Sequence, residues 1–291
     1  MIPLSFPTPT RLLTAFIATC LIGSAADAQN PAPSPSPAAA APQPAQPNPD
    51  NDWLAKTSKL YYSSAKAGLT GFDCTVHPDW HTLFASADKG SAVPDDDPRI
   101  ALLNAVKISV HARMKGGSTI EWVVDSNPDK SLDQNSTDLL DSMHKSVEQT
   151  LEGFLQFWGP FMEGTVVPDS AEGLEITHTP TVHTIHAKQA GTELTEVFSS
   201  DLVLEQFNVN MSAAAIKFLP AYKPTAQGLL VSAFKANILP EGMPAEQAQV
   251  MKVNIEYQPV GTLIVPGKLN MEVIGTGTFN FTFDGCTTNP K

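Results

Sequence analysis

Histidine is the side chain best suited to chemistry near neutral pH, and this chain has seven of them. Five invite a metal or acid–base role: His178, His183 and His186 in one stretch, and His77 with His81 in another. Spacing weakens both groups. His183 and His186 are three apart, so a continuous strand sends them to opposite faces. His77 and His81 straddle Pro78, which argues against one shared helical face. No Cys or Glu stands at zinc-like spacing beside them, so solvated strand-face histidines are expected and no metal is assigned. A calcium loop is the next candidate. Asp125, Asn127, Asp129, Ser131 and Asp133 alternate as calcium ligands do, with Leu132 at the apolar position. Lys130 replaces the glycine of the sharp turn, and Ser136 stands where the bidentate glutamate belongs, so a polar loop capping the next helix is the expectation. Glu193 and Glu196 form a carboxylate pair without context for acid–base work. There is no Gly-x-Ser-x-Gly elbow and no phosphate loop, and Gly275-x-Gly277 falls between strands as a turn. No catalytic residue and no cofactor is assigned. A hydrolase assembled from distant segments remains the least favoured reading.

The elements that would position any site are mostly strands. In 106–115, Val106, Ile108, Val110, Ala112 and Met114 alternate with polar residues, the mark of a strand with one wet face. Gly116-Gly117 turns the chain, and 119–125 answers as a hairpin partner. Further strands are expected at 72–76, 173–178, 181–189, 193–199, 202–209, 214–219, 228–239, 249–258, 262–274 and 277–285. Met251, Val253, Ile255 and Tyr257 share one face, and so do Phe279, Phe281 and Phe283. Helices are expected at 53–69, 80–87 and 135–158, the last capped by Asn135 or Ser136 and ended by Gly159-Pro160. Its apolar stripe runs from Leu140 to Trp158 at three- and four-residue steps. Helix, strands, helix and a long meander together predict an α+β fold.

The first residues read as an export signal. Arg11 precedes a run from Leu12 to Ile22 that is shorter than the about 20 apolar residues a bilayer span needs. Ala26-Asp27-Ala28 supplies a cleavage site, so 1–28 is expected to be a signal peptide and Gln29 the mature start. Ile17-Ala18-Thr19-Cys20 approaches a lipobox, which leaves lipidation at Cys20 as the alternative, although Thr19 is a poor residue before such a cysteine. Residues 29–51 are rich in Pro and Ala and are expected to form a disordered linker, either a spacer or a tolerated tail. A single domain then occupies 52–291. The expected location is periplasmic or secreted, without a membrane span in the mature chain. The net charge of −12 argues against a nucleic-acid partner, which needs clustered Lys and Arg. After cleavage Cys74 and Cys286 remain, one in the first expected strand and one after the last. In an oxidising compartment they are expected to form a disulfide, with free buried thiols as the alternative.

Several segments carry a family resemblance: GLTGFDCTV at 68–76, TELTEVFSSDLVLEQF at 192–207, FLPAYKPTAQGLLVSAF at 218–234 and VNIEYQPVGTLIVPGKLNMEV at 253–273. In that order, behind an N-terminal helix, the chain resembles the lipoprotein-localisation-factor superfamily, the LolA/LolB-like periplasmic carriers. The resemblance implies a large curved antiparallel sheet, an incomplete barrel, with helices covering its concave face. It also implies a non-enzymatic carrier for an apolar ligand such as a lipid, or for the acyl chains of a lipid-modified protein. No functional residue of the family maps onto this chain one by one. The candidate lining is an aromatic cluster at a helix end, Phe154, Trp158, Phe161 and Met162, with the apolar faces of the alternating strands. A protein-interaction module of a cell-envelope assembly is the alternative function.

Overall fold

The computed structural model describes residues 48–87, 91–114, 117–124, 132–163, 166–189 and 191–289, without the side chains of Ala87, Pro160, Met162 and Glu163. The signal peptide, Cys20 and nearly all of the linker lie outside the described residues. The linker boundary moves. Helix α1 spans Pro49–Ser58, with Asn48 accepting from the Asp50 N–H and Pro49 at its first turn, so 49–51 are helical. The helix expected at 53–69 stops at Ser58. Leu60, Tyr61, Tyr62 and Leu69 resemble a helical stripe because they are buried or half-buried, but a non-helical segment buries them. The Leu229 N–H donates to the Leu60 carbonyl at 2.7 Å, and the Tyr62 N–H donates to the Leu229 carbonyl at 2.9 Å. Gly228 permits this crossing: its φ is +124°, and a Cβ there would sit 2.8 Å from the Leu60 carbonyl oxygen.

The strands form one sheet of twelve, in the order β3-β2-β1-β12-β11-β10-β9-β8-β7-β6-β5-β4. They are β1 (Gly71–Pro78), β2 (Val106–Arg113), β3 (Gly117–Val124), β4 (Glu175–His178), β5 (Val182–Gln189), β6 (Thr192–Ser199), β7 (Leu204–Met211), β8 (Ala214–Thr225), β9 (Gly228–Pro240), β10 (Gln249–Val260), β11 (Leu263–Val273) and β12 (Gly277–Thr288). Every pairing between them is antiparallel, and β3 and β4 are the edges. The fold is therefore α+β with a curved, open sheet that does not close into a barrel. The expected strands are present, because period-two alternation with one wet face is a local signal, but β8 continues six residues past its expected end, through Pro220 and Pro224.

Three other helices complete the fold: α2 (Trp80–Ala87), α3 (Pro98–Asn104) and α4 (Gln134–Glu163). Helix α3 lies in a stretch for which no element is expected from the sequence. Asp97 caps it, accepting from the Arg99 N–H at 2.8 Å with Pro98 following, a start signal visible in the sequence. Helix α4 is capped two or three residues earlier than expected, by Asp133, whose Oδ1 accepts from the Ser136 N–H at 2.7 Å. It also runs past Gly159-Pro160. Phe161, beyond the proline, packs against both apolar cores and offsets the missing N–H. The calcium-like loop lies outside the described residues from Asp125 to Ser131, and its Asp133 serves as the helix cap.

Helix α4 follows edge strand β3 and precedes edge strand β4, crossing the sheet's inner face between them. Leu140, Met143, Val147, Leu151, Phe154, Leu155 and Trp158 are all buried. Along the way Trp122 of β3 stacks on His144 at 5.0 Å, Phe72 of β1 meets Trp158 edge-on at 6.1 Å, and Phe157 meets Phe218 of β8 at 5.1 Å. The Trp158 Nε1–H donates to the Tyr257 hydroxyl at 3.0 Å, which donates to the Val231 carbonyl at 2.6 Å. A second, smaller core under α1 holds Leu54, Tyr61, Ile185, Phe198 and Leu204.

Cys74 and Cys286 form a disulfide, 212 residues apart. Strand β12 bulges where Cys74 meets it: Asp73 pairs with Thr287 and Thr75 with Asp284, which leaves Gly285 and Cys286 against Cys74. Gly285 has a φ of +56°, which suits the bulge. Loop-closure entropy gives this bridge up to about 5 kcal/mol. Cys286→Ser, in the purified oxidised protein, is expected to lower stability by a few kcal/mol in urea unfolding while leaving the far-UV circular dichroism unchanged. An unaltered urea midpoint would rule out a stabilising bridge.

Candidate functional site

The inner face offers two unusual places. The first is a recess between α4 and strands β9 to β12. Ser146, Gln149, Thr150, Glu152, Gly153, Phe154 and Gln156 line it from the helix. Ile238, Gln249, Met251, Met271, Val273, Thr276 and Phe279 line it from the sheet side. The local cause is a gap in large side chains: Ser146, Thr150 and Gly153 put small groups where their neighbours put Leu or Phe. Its floor is apolar and its rim polar, and it opens to solvent. Burial, with help from Glu148, raises the Glu152 carboxyl above its ordinary range. The volume is about 100 Å³. Ligand sites usually measure about 300–1,000 Å³, so this recess admits a short apolar group rather than a whole acyl chain. Two of the lining side chains are methionines, which adapt to irregular shapes.

Of the expected lining residues, the structure brings Phe154 and Phe279 to this recess. Trp158, Ile108, Val110, Val253, Ile255, Phe281 and Phe283 are packed in the core. Val106, Met114, Phe161 and Tyr257 are half-buried against it. The side chain of Met162 lies outside the described residues.

The second place is a buried carboxyl. On β6, Leu194, Glu196 and Phe198 point inward together, and Glu196 is 6% exposed. Ile185 and Phe207 flank it on the neighbouring strands. Among the described residues its Oε2 has no hydrogen-bond partner, and neither has the buried Tyr222 hydroxyl. Burial pushes the Glu196 carboxyl up to about 8, so it is mostly neutral at pH 7. Burial also raises both nearby phenols, Tyr222 and Tyr61, the latter to about 12, and the Glu196 charge adds to each. Tyr61 is clamped: its hydroxyl donates to the Leu202 carbonyl at 2.9 Å and accepts from the Leu204 N–H at 2.7 Å. Leu202 has a φ of 64°, a left-handed conformation that a leucine rarely adopts, and the clamp holds it there. Sequence reasoning grouped Glu196 with Glu193, but Glu193 is exposed on the other face. The missed signal was a Glu in the apolar register of an alternating strand.

His183 and His186 take opposite faces of β5, as their spacing implied, whereas His178 of β4 lies opposite His183. His183 packs beside Trp53, and His186 turns to Thr195 Oγ1 at 3.0 Å. His77 lies on β1 and His81 on α2. His111 sits 3.0 Å from Asp73 Oδ1, which Arg113 Nη1 reaches at 2.6 Å. Burial alone would raise the Asp73 carboxyl, but the Arg113 and His111 contacts hold it below its usual range. Among the described residues, no three His, Cys, Asp or Glu side chains converge on one point. No helix there is long and apolar enough to cross a membrane. No protein-family model, curated protein or solved structure matches this chain.

The Glu196 carboxyl predicts a pH dependence. Unfolded, it loses its proton near its ordinary value of 4.5, and folded it keeps it to about 8. Between those values the folded state binds the extra proton, so this group's contribution to stability falls as pH rises and levels off above about 8. At about 1.4 kcal/mol per pH unit, the loss is of order a few kcal/mol. Glu196→Gln should therefore be the more stable protein at pH 8, and its urea midpoint should vary less between pH 5 and 8. Parallel midpoint profiles for the two proteins would contradict a buried neutral carboxyl.

Proposed function

We propose that this chain is an exported, non-enzymatic binding protein whose recess between α4 and β9–β12 takes a short apolar group, the end of an acyl chain or of a similar lipid. The observation that carries this is the recess itself, an apolar, methionine-lined opening beside the helix that covers the sheet. The pattern resemblance to the LolA/LolB-like carriers points the same way, and the open sheet with a helix across its inner face fits their expected architecture. The size of the recess narrows the reading. A wide carrier cavity would need the buried stripe of α4 to leave the sheet, and each large residue of that stripe contributes about 1.5–3 kcal/mol. A ligand is therefore held at its tip, with the rest of it along the polar rim.

Export supports the same reading. A disulfide between Cys74 and Cys286 suits an oxidising compartment, and the leader ending at Ala28 would deliver the domain there. We assign the domain to the periplasm or the outside of the cell.

The test uses a fatty acid carrying an environment-sensitive fluorophore at its head, titrated into the full mature chain. Saturable binding is expected. Val273→Trp fills the recess from its half-buried edge and should weaken the probe by at least about tenfold, equivalent to about 1.4 kcal/mol. Its urea midpoint should stay near that of the native protein. Absence of saturable binding, or equal affinity for the two proteins, would overturn the proposal.

A further inference from the structure

At the edge of the sheet, far from the recess in strand order, β4 and β5 place His178 directly opposite His183. Their Nδ1 atoms are 2.9 Å apart. On its other side, His178 Nε2 lies 3.1 Å from Asp50 Oδ1 of α1. The Trp53 indole, one turn along the same helix, sits beside both rings, with centroids 5.1 Å from His178 and 5.3 Å from His183.

These contacts set the proton positions. An ionised carboxylate only accepts hydrogen bonds, so Asp50 keeps a proton on His178 Nε2. The neutral ring then has a bare lone pair on Nδ1, aimed at His183. Without metal, the His183 Nδ1–H donates to that lone pair. A neutral imidazole can move its proton to Nε2. Both Nδ1 atoms then carry lone pairs 2.9 Å apart, a tilt of each ring turns them toward one ion, and no net proton need be released.

We propose that His178 and His183 form a two-imidazole site for a divalent first-row transition ion, copper(II) foremost, with Asp50 as the outer acceptor that orients His178. The distances fit. At metal–nitrogen bonds of about 2.0–2.1 Å, two ligands at a right angle lie about 2.9 Å apart and two at a tetrahedral angle about 3.3 Å. The observed 2.9 Å therefore needs at most a few tenths of an ångström of adjustment for either geometry. A carboxylate behind a ligating histidine is the usual outer-shell arrangement, since it fixes the tautomer and raises ligand basicity. Water fills the remaining positions, because both rings reach solvent at the hairpin. Copper(II) stands first because nitrogen sites bind it more tightly than other divalent ions of the series.

The test titrates copper(II) chloride, and separately zinc chloride, into the full mature chain at pH 7.5, followed by calorimetry and tryptophan fluorescence. Copper is expected to bind one to one at this site, more tightly than zinc, and to quench Trp53. His178→Ala and His183→Ala should each weaken copper at least tenfold, and Asp50→Asn by about tenfold through the outer shell. Trp53→Phe should lose quenching while keeping the heat of binding. Electron paramagnetic resonance of the native copper complex gives a readout that needs no variant, and coupling to imidazole nitrogens is expected. A spectrum without imidazole nitrogen, or alanine variants that bind copper as the native protein does, would overturn the site.

Discussion

Burying helix α4 against the inner face of the sheet is the interaction on which the rest of the molecule depends. Alternation gives an antiparallel sheet one apolar face, and an open sheet has no opposite wall to cover it. Here one helix of 30 residues crosses from the side of β3 to that of β4 and supplies the cover. Its large residues reach the sheet at three- and four-residue steps, and Trp158 adds a hydrogen-bonded link through Tyr257 to the backbone of β9. The recess lies where Ser146, Thr150 and Gly153 flank that stripe with small side chains. The same packing that closes the inner face thus sets the size of what it can still receive.

The two ends of the inner face differ in chemistry. Toward β9–β12 the surface is methionine and phenylalanine with a polar rim. Toward β4–β7 it carries Glu196, Tyr222, the Tyr61 clamp and the histidine pair beneath Trp53. An apolar guest is at home at the first end. At the second end burial has left Glu196 and Tyr222 short of partners among the described residues, and a buried, unpaired carboxyl costs stability unless it keeps its proton.

Much of the fold was legible because its signals are local. The alternation of 106–113 and of 251–257 and the stripe from Leu140 to Trp158 each state their element within twenty residues, whereas Pro220, Pro224 and Pro266, which read as strand breaks, lie inside β8 and β11. The misreadings came where burial arose from something other than the element itself. Leu60, Tyr61 and Leu69 fit a helical pattern, yet they lie in a non-helical segment whose start crosses the β8–β9 turn. Pro160 reads as a stop, yet Phe161 has a place in both cores. The sites were less legible. Glu196 was visible as a carboxylate but not as a buried one. The facing of His178 and His183 depends on the β4–β5 register, and Asp50 behind them comes from a helix more than a hundred residues earlier, so no spacing rule within the stretch 178–186 could reveal the group.

The pairing of β1 with β12 has a kinetic side. Strands β3-β2-β1 form one local meander and β4 to β11 another, and in the sheet they meet only through β12. The contacts that join them span about two hundred residues, so the chain must close its longest loop before the two halves share a core, and topologies of this kind fold slowly. Until β12 docks, each half keeps an unpaired edge, with β1 and β11 both open to pairing with another chain. The time spent in that state, more than the strength of the finished sheet, sets how exposed the protein is to aggregation as it folds, and it makes the last strand in the sequence the step that ends the risk.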